Sequence, residues 1–193
     1  MKKILVKLGS SLLTNKRGGV NKAVLKNVVK DIIWLLDEKK EVIVVSSGAI
    51  SLGKGKLNLK HDLTLNESQA VAARGQIELM TAWKNEFKKY KKQVAQVLLS
   101  PSDIKNKKSS NHAIATLENI LDFNCVPIIN ENDTTSTDEI KFGDNDILAA
   151  QIATLIKADH LILLSNVDGL YKEPPKTNKN DDLIKEVKSI TNK

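Results

Sequence analysis

The chain contains little of what marks several classes of protein. Of its 193 residues only one is a cysteine, and aromatic residues make up 4%. The lone Cys125, which lies in an apolar run, excludes a disulfide framework and favours a reducing compartment such as the cytoplasm. No apolar run is long enough to span a bilayer, and Lys7 interrupts the apolar start of the chain, which argues against a signal peptide. The composition predicts a cytoplasmic protein of one domain, or of one domain and part of another.

Arginine is scarce as well, although the net charge is +7. Of 30 basic residues only Arg17 and Arg74 are arginines, and the lysines are spread along the chain. A nucleic-acid-binding protein usually adds arginines, stacking aromatic residues or a recognised motif, so we expect no nucleic-acid partner. The positive field would still favour an anionic substrate. The three histidines, His61, His112 and His160, show no metal-ligand spacing, and no protein-borne metal site is predicted.

Apolar strand-like runs alternate with helical patterns along the chain. The predicted strands cover residues 4–8, 42–45, 93–99, 125–129 and 160–164. The predicted helices cover residues 21–40, 66–90 with a break near Gly75, 111–123 and 145–157, and residues 53–56 are expected to end a helix and begin a loop. This order predicts an α/β fold, a three-layer αβα sandwich with a mostly parallel central sheet.

Polar residues follow several of the predicted strands. Lys7 precedes a Gly9-Ser10 turn, and Ser47-Gly48 leads from the second strand into a helix; turn N–H groups and helix N-termini both bind anions. Because the carboxyl ends of parallel strands share one rim, we expect Lys7, Ser47 and Asn166 to converge there.

The segment from 128 to 151 contributes most of the polar groups at that rim. Its carboxylates and amides are Glu131, Asp133, Asp138, Glu139, Asp144, Asp146, Asn130, Asn132 and Asn145. Such a loop can hold an amino group, a metal ion or catalytic lysines. The alternative is a solvated acidic loop with Asp144 as a helix N-cap.

Four segments together carry a family resemblance: VKLGSS (6–11), VVSSGAIS (44–51), IINENDTTSTDEIKFGDND (128–146) and LILLSNVDGLY (161–171). In this order they resemble the glutamate 5-kinases of the amino-acid kinase family, and the resemblance covers essentially the whole chain. It implies ATP and Mg²⁺ as cofactors and L-glutamate as the substrate, phosphorylated on its side-chain carboxylate in the opening step of proline synthesis. It also implies a homo-oligomer, dimer or tetramer, and proline as a feedback inhibitor.

The resemblance further implies a role for individual residues. Lys7 would neutralise the migrating phosphoryl group, and Asp146 would orient Lys7 and a second lysine. Phosphate and nucleotide contacts would come from Lys7, from the N–H groups of Gly9 and Ser10, and from Ser165 and Asn166. Glutamate would be held by Ser47, Gly48, Asp133 and Asn145, with Asp133 at the α-ammonium group.

The family's kinase domain continues beyond the segments matched here. A Gly-Gly-Met-x-Thr-Lys-type stretch with the second lysine, most of the adenine pocket and the PUA domain of some members are not among residues 1–193. We therefore expect the glutamate-binding half and the start of the nucleotide-binding half, with little or no kinase activity from these residues alone. Other interpretations stay open: an acetylglutamate or aspartate kinase, or a non-catalytic module that binds glutamate or proline.

Overall fold

A five-stranded sheet lies at the centre of the chain. The computed structural model describes residues 1–15, 17–135, 145–171 and 183–189. The strands are β1 (Lys3–Leu8), β2 (Glu41–Ser46), β3 (Gln93–Leu99), β4 (Cys125–Glu131) and β5 (His160–Leu164). They pair in the order β3-β4-β2-β1-β5, and every pair is parallel. Two short strands, β6 (Leu170–Tyr171) and β7 (Leu183–Ile184), form a separate antiparallel ladder. The predicted mostly parallel sheet is confirmed.

Helices connect and cover the strands. They are α1 (Ser10–Leu13), α2 (Lys22–Asp37), α3 (Ala49–Leu57), α4 (Leu65–Lys88), α5 (Pro101–Lys105), α6 (Lys107–Asp122) and α7 (Asn145–Leu155). Side-chain oxygens satisfy the first N–H groups of several of them. Asn21 caps α2, and Thr64 forms a capping box with Glu67 at α4. Asn106 accepts from the N–H groups of Lys108 and Ser109, so α6 begins four residues before the predicted start at Asn111.

The inner strands β1, β2 and β4 are buried on both faces, and alternate residues along each strand pack into different cores. In β2, Val42 and Val44 pack into one core, which includes Leu79 and Trp83 of α4. Ile43 and Val45 pack into the other core, which includes residues of α6 and α7. This arrangement gives the three layers that the sequence predicts. Within the described ranges, no helix combines the length and apolarity needed to cross a bilayer.

Two predictions about glycines are wrong. The segment from Gly53 to Lys56 lies inside α3, and α4 runs through Gly75 without a break. Both glycines lie where the two helices touch. A Cβ atom on Gly75 would lie 1.7 Å from the carbonyl oxygen of Ala49, and one on Gly53 would lie 2.0 Å from that of Val71. Glycine is required at these positions for the close approach of the two backbones rather than for a helix break.

The strand order places β1 between β2 and β5, so polar residues after these strands meet at one rim. The roles considered for Asp138, Glu139 and Asp144 in the sequence analysis lie outside the described residues.

Candidate active site

Lys7 is a buried cation near the end of β1. It points to the same face as Leu5, which packs in the α6–α7 core, because residues two apart in a strand share a face. The residue is only 7% exposed, yet its ammonium group forms an ion pair with the carboxylate Oδ1 of Asp146 in the first turn of α7. A buried charge requires a partner of this kind. The predicted pairing of Lys7 with Asp146 agrees with this geometry.

A cavity of about 310 Å³ opens beside this ion pair. It is lined by all the residues to which the family resemblance gives an individual role: Lys7, Gly9, Ser10, Ser47, Gly48, Asp133, Asn145, Asp146, Ser165 and Asn166. These residues come from the carboxyl ends of β1, β2, β4 and β5 and from the first turn of α7. The expected convergence at one rim of the sheet is therefore observed.

One predicted donor already has an acceptor. The N–H group of Gly9 donates to the carbonyl oxygen of Leu164 at 3.1 Å, so it would have to share or leave that bond to donate to a phosphate. The turn leads into α1, which no side chain caps. Because a helix leaves its first N–H groups without intrahelical acceptors, Ser10 and Ser11 remain the donors that can face an anion.

The second anion-facing turn follows β2. Gly48 is the N-cap of α3 and has a φ of 115°, a conformation that side chains other than glycine rarely adopt. The first residues of α3 line the cavity, so the positive end of the helix dipole faces it. The turn is fixed from behind, because the N–H of Ser47 donates to Leu8 and the indole of Trp83 donates to the hydroxyl of Ser46 at 2.9 Å.

The carboxyl group of Asp133 lies in an environment unlike water. Burial, together with the nearby charge of Glu131, raises the pKa of Asp133 to about 6. A carboxylate in such a position gains from a cationic ligand, because the cation offsets both the lost hydration and the repulsion. The geometry therefore suits an ammonium group at Asp133.

Amide side chains join these elements across the end of the sheet. Asn145 Nδ2 donates to the Ser47 hydroxyl at 2.7 Å and to Asn130 Oδ1 at 3.1 Å. Asn130 Nδ2 in turn donates to Gln76 Oε1 of α4 at 2.9 Å. Asn130, near the end of β4, was among the polar groups expected at this rim, although it had no individual role. Gln76 was not foreseen, because no motif marks it within its helix.

The expected Mg²⁺ can bind here only if the residues of the cavity offer suitable ligand atoms. Among the described residues, no group of three or more His, Cys, Asp and Glu side chains could hold a metal ion. Mg²⁺ commonly binds through substrate phosphates and one or two carboxylates. Asp146 lines the cavity, is half exposed and pairs with Lys7 through Oδ1 alone, so its other oxygen fits an ion that arrives with a nucleotide.

In parallel α/β proteins, ligands commonly bind where strand ends meet in this way, and here a lysine ion pair and turn N–H groups share one cavity. The family model described as "Amino acid kinase family" matches residues 2–191, and the chain belongs to that family.

Curated relatives extend this result. The chain is 47% identical over 188 residues to a glutamate 5-kinase of Pelagibacter ubique, with 97% of this chain and 51% of the relative covered. It is 44% identical to a glutamate 5-kinase of Clostridium perfringens, with 98% of this chain and 72% of the relative covered. The chain thus spans about half the length of most of the curated relatives it matches, for example 52% of a glutamate 5-kinase of Geobacter metallireducens.

Solved structures with a similar fold include the UMP kinase of Ureaplasma parvum, with a TM-score of 0.62, 16% identity, and 95% of this chain and 74% of that chain covered. The isopentenyl phosphate kinase of T. acidophilum has a TM-score of 0.61, 20% identity, and 92% and 76% covered. At these identities the likeness concerns the fold alone.

Proposed function

We propose that the chain binds L-glutamate and ATP and takes part in the transfer of the γ-phosphoryl group of ATP to the side-chain carboxylate of glutamate. The product would be L-glutamyl 5-phosphate, and the reaction would open proline synthesis in the cytoplasm. The observation that carries the proposal is the ion pair of Lys7 and Asp146 in a cavity that also contains Asp133. The similarity of the chain to glutamate 5-kinases, which extends over nearly the whole of the chain, supports the same reaction.

The acceptor side of the cavity fits an amino acid. Asp133 would hold the α-ammonium group, and the Ser47 hydroxyl and the Asn145 amide would orient the ligand. A carboxylate is already a nucleophile at neutral pH, so the reaction needs no general base. The contribution of these residues is to hold that carboxylate in line with the phosphate.

The donor side requires positive charge, because both reactants are anions. The ammonium group of Lys7 would neutralise the transferred phosphoryl group, and the N–H groups of Ser10 and Ser11 would add donors. Asp146 would keep Lys7 in place. Ser165 and Asn166, which follow β5, would begin the nucleotide side of the site. Mg²⁺ bound to the ATP phosphates would supply further charge neutralisation.

The acidic environment of Asp133 favours this substrate over the nearest alternatives. N-acetyl-L-glutamate lacks the ammonium group that Asp133 and Glu131 attract. Without that cation, the ligand would cover the carboxylates of Asp133 and Glu131 and leave their charge uncompensated, which is unfavourable. L-Aspartate keeps the ammonium group but is one methylene shorter, so its side-chain carboxylate would not reach the same position.

The chain spans about half the length of most of the relatives, so it could bind the substrates without transferring the phosphoryl group. The test therefore measures binding and turnover together. Calorimetry compares L-glutamate, N-acetyl-L-glutamate, L-aspartate and L-proline, each with and without MgATP. Hydroxylamine traps any acyl phosphate as a hydroxamate. Binding of L-glutamate alone among the amino-acid substrates, with hydroxamate formation, supports the proposal. Binding without hydroxamate supports a binding module instead, and preference for another acceptor overturns the assignment of the substrate.

A further inference from the structure

We propose that Gln76 is a positioning residue for the acceptor substrate and that it acts through a relay of side-chain amides, Gln76–Asn130–Asn145, which ends at Ser47. The proposal rests on the proposed function for the identity of the ligand, L-glutamate. The relay itself follows from hydrogen bonds between described residues and can be tested without any ligand.

The relay connects the two helical layers around the end of the sheet. Asn130 shares its face of β4 with Ile128, which packs in the core of α4, so its side chain meets Gln76 of that helix. Asn145 begins α7 in the opposite layer, and its amide reaches Asn130 and Ser47. Three elements that contribute to the cavity are thus held by consecutive hydrogen bonds.

The relay has one direction, because each amide must present its donor to the next acceptor. Gln76 Oε1 accepts from Asn130 Nδ2, which leaves Asn130 Oδ1 facing Asn145 as an acceptor. If the acceptor at position 76 were lost, the Asn130 amide could turn over and bring its NH₂ group against that of Asn145. Two donors would then face each other, and the hold on Asn145 would be lost. The identity of residue 76 therefore decides the orientation of a side chain two steps away.

The first and the last amide of the relay each have one polar atom without a hydrogen-bond partner among the described residues. These atoms, Gln76 Nε2 and Asn145 Oδ1, are buried. Buried polar groups without a partner are uncommon and call for a reason. Asn145 lines the cavity, and the acceptor that the relay leaves on it suits a ligand with an ammonium group.

Gln76 also lines a smaller cavity, of about 30 Å³, together with Glu131 and Asp133. Nearby carboxylates favour the NH₂ end of the Gln76 amide on their side and its oxygen on the side of Asn130. This is the same polarity that the relay requires, and it connects Gln76 with the residue proposed to hold the α-ammonium group.

The first experiment follows the side-chain NH₂ signals of Asn130 and Asn145 in ¹⁵N-labelled protein. Both groups exchange slowly with solvent in the unsubstituted chain, because they are hydrogen-bonded and little exposed. In Gln76→Met, which keeps the length but removes the acceptor, both exchange at least about tenfold faster. Gln76→Glu keeps an acceptor for Asn130 and retains slow exchange. Gln96→Met, on the exposed side of β3, is the matched control and changes neither signal.

The second experiment measures the Kd for L-glutamate by calorimetry in the same variants. Gln76→Met raises it about tenfold, whereas Gln96→Met stays within about twofold. Fast exchange of the two amides in the unsubstituted chain, or no change in Gln76→Met, overturns the relay. Altered exchange with an unaltered Kd overturns the positioning role. Failure of the unsubstituted chain to bind L-glutamate, with the relay signals as expected, overturns the proposed ligand and leaves the relay intact.

Discussion

The ammonium group of Lys7 and the carboxylate of Asp146 form an ion pair that joins β1 to the first turn of α7. The two side chains differ in environment: that of Lys7 is 8% exposed and that of Asp146 is 51% exposed. The lysine is thus fixed by packing, whereas the carboxylate keeps contact with solvent and can reorient. Lys7 can consequently give up part of this pairing to an incoming phosphate without becoming an isolated buried charge.

We expect Lys7→Ala to lower turnover by about two to three orders of magnitude, as the loss of one donor to transition-state charge does. Folding should be little affected, because Asp146 is half exposed and water can replace its partner. The comparison is Lys30→Ala, an exposed position on α2, in an assay that shows phosphoryl transfer by the unsubstituted protein. A near-normal kcat in Lys7→Ala would remove Lys7 from the reaction.

The pH dependence of glutamate binding should follow the ionisation of Asp133. Its pKa is raised to about 6, so the carboxylate is protonated, and unable to attract an ammonium group, below that pH. The Kd for L-glutamate should therefore rise as pH falls through 6, by at most about tenfold per pH unit. Asp133→Asn should bind more weakly at pH 7.5 and lose this pH dependence, while the KM for ATP stays the same. An Asp133→Asn variant that affects only the KM for ATP would contradict the assignment.

The same shift has a consequence for stability that needs no ligand. The folded state binds the Asp133 proton more tightly than the unfolded state does, since the pKa rises from 3.8 to about 6. This contribution to the free energy of unfolding is fully present below pH 3.8 and is lost as pH rises through 6. Asp133→Asn should therefore raise Tm at pH 7.5, by about 2–4 °C after allowance for partial exposure, and have little effect near pH 4.

The control for this measurement is Asp62→Asn, at an exposed position outside the cavity. Thermal unfolding at pH 4.0, 5.0 and 7.5 gives the comparison. A lower Tm for Asp133→Asn at pH 7.5 would show that the carboxylate stabilises the fold, contrary to the expected direction.

Gly75→Ala tests the close contact of α3 and α4. Helix propensity alone would favour alanine by about 1 kcal/mol. The new Cβ would lie 1.7 Å from the Ala49 carbonyl oxygen, so the helices must separate, and overpacking of this kind costs about 1–3 kcal/mol or more. We expect a lower free energy of unfolding in urea. Thr81→Ala, an exposed position on the same helix, gains the propensity without the clash, and equal stability of the two variants would refute the argument.

Much of the fold was predictable from local patterns. A strand buried on both faces needs a continuous apolar run, and all five predicted strands are found with ends within two residues of those expected. The glycines were harder to interpret. A glycine in a helical pattern indicates either a break or a close contact, and only the position of the neighbouring helix separates the two, as Gly53 and Gly75 demonstrate.

Some features of the site could likewise be predicted from the sequence, and others could not. Lys7, Ser47 and Asn166 could be assigned to one rim because parallel strands end on the same side of a sheet. The bond from the Gly9 N–H to Leu164 could not be foreseen, since it depends on β5 pairing beside β1. Gln76 could not be foreseen either, because it reaches the site from a helix that carries no recognisable motif.

By itself, the sequence determined which segments are strands and helices and which of their ends carry charge, because those properties depend on neighbouring residues and on the period of the apolar pattern. The tertiary structure alone decided which N–H groups stay free, which amides form a relay and which carboxylate is desolvated. Hydrogen bonds and desolvation depend on distances of a few ångströms between elements far apart in the chain, and only packing sets those distances.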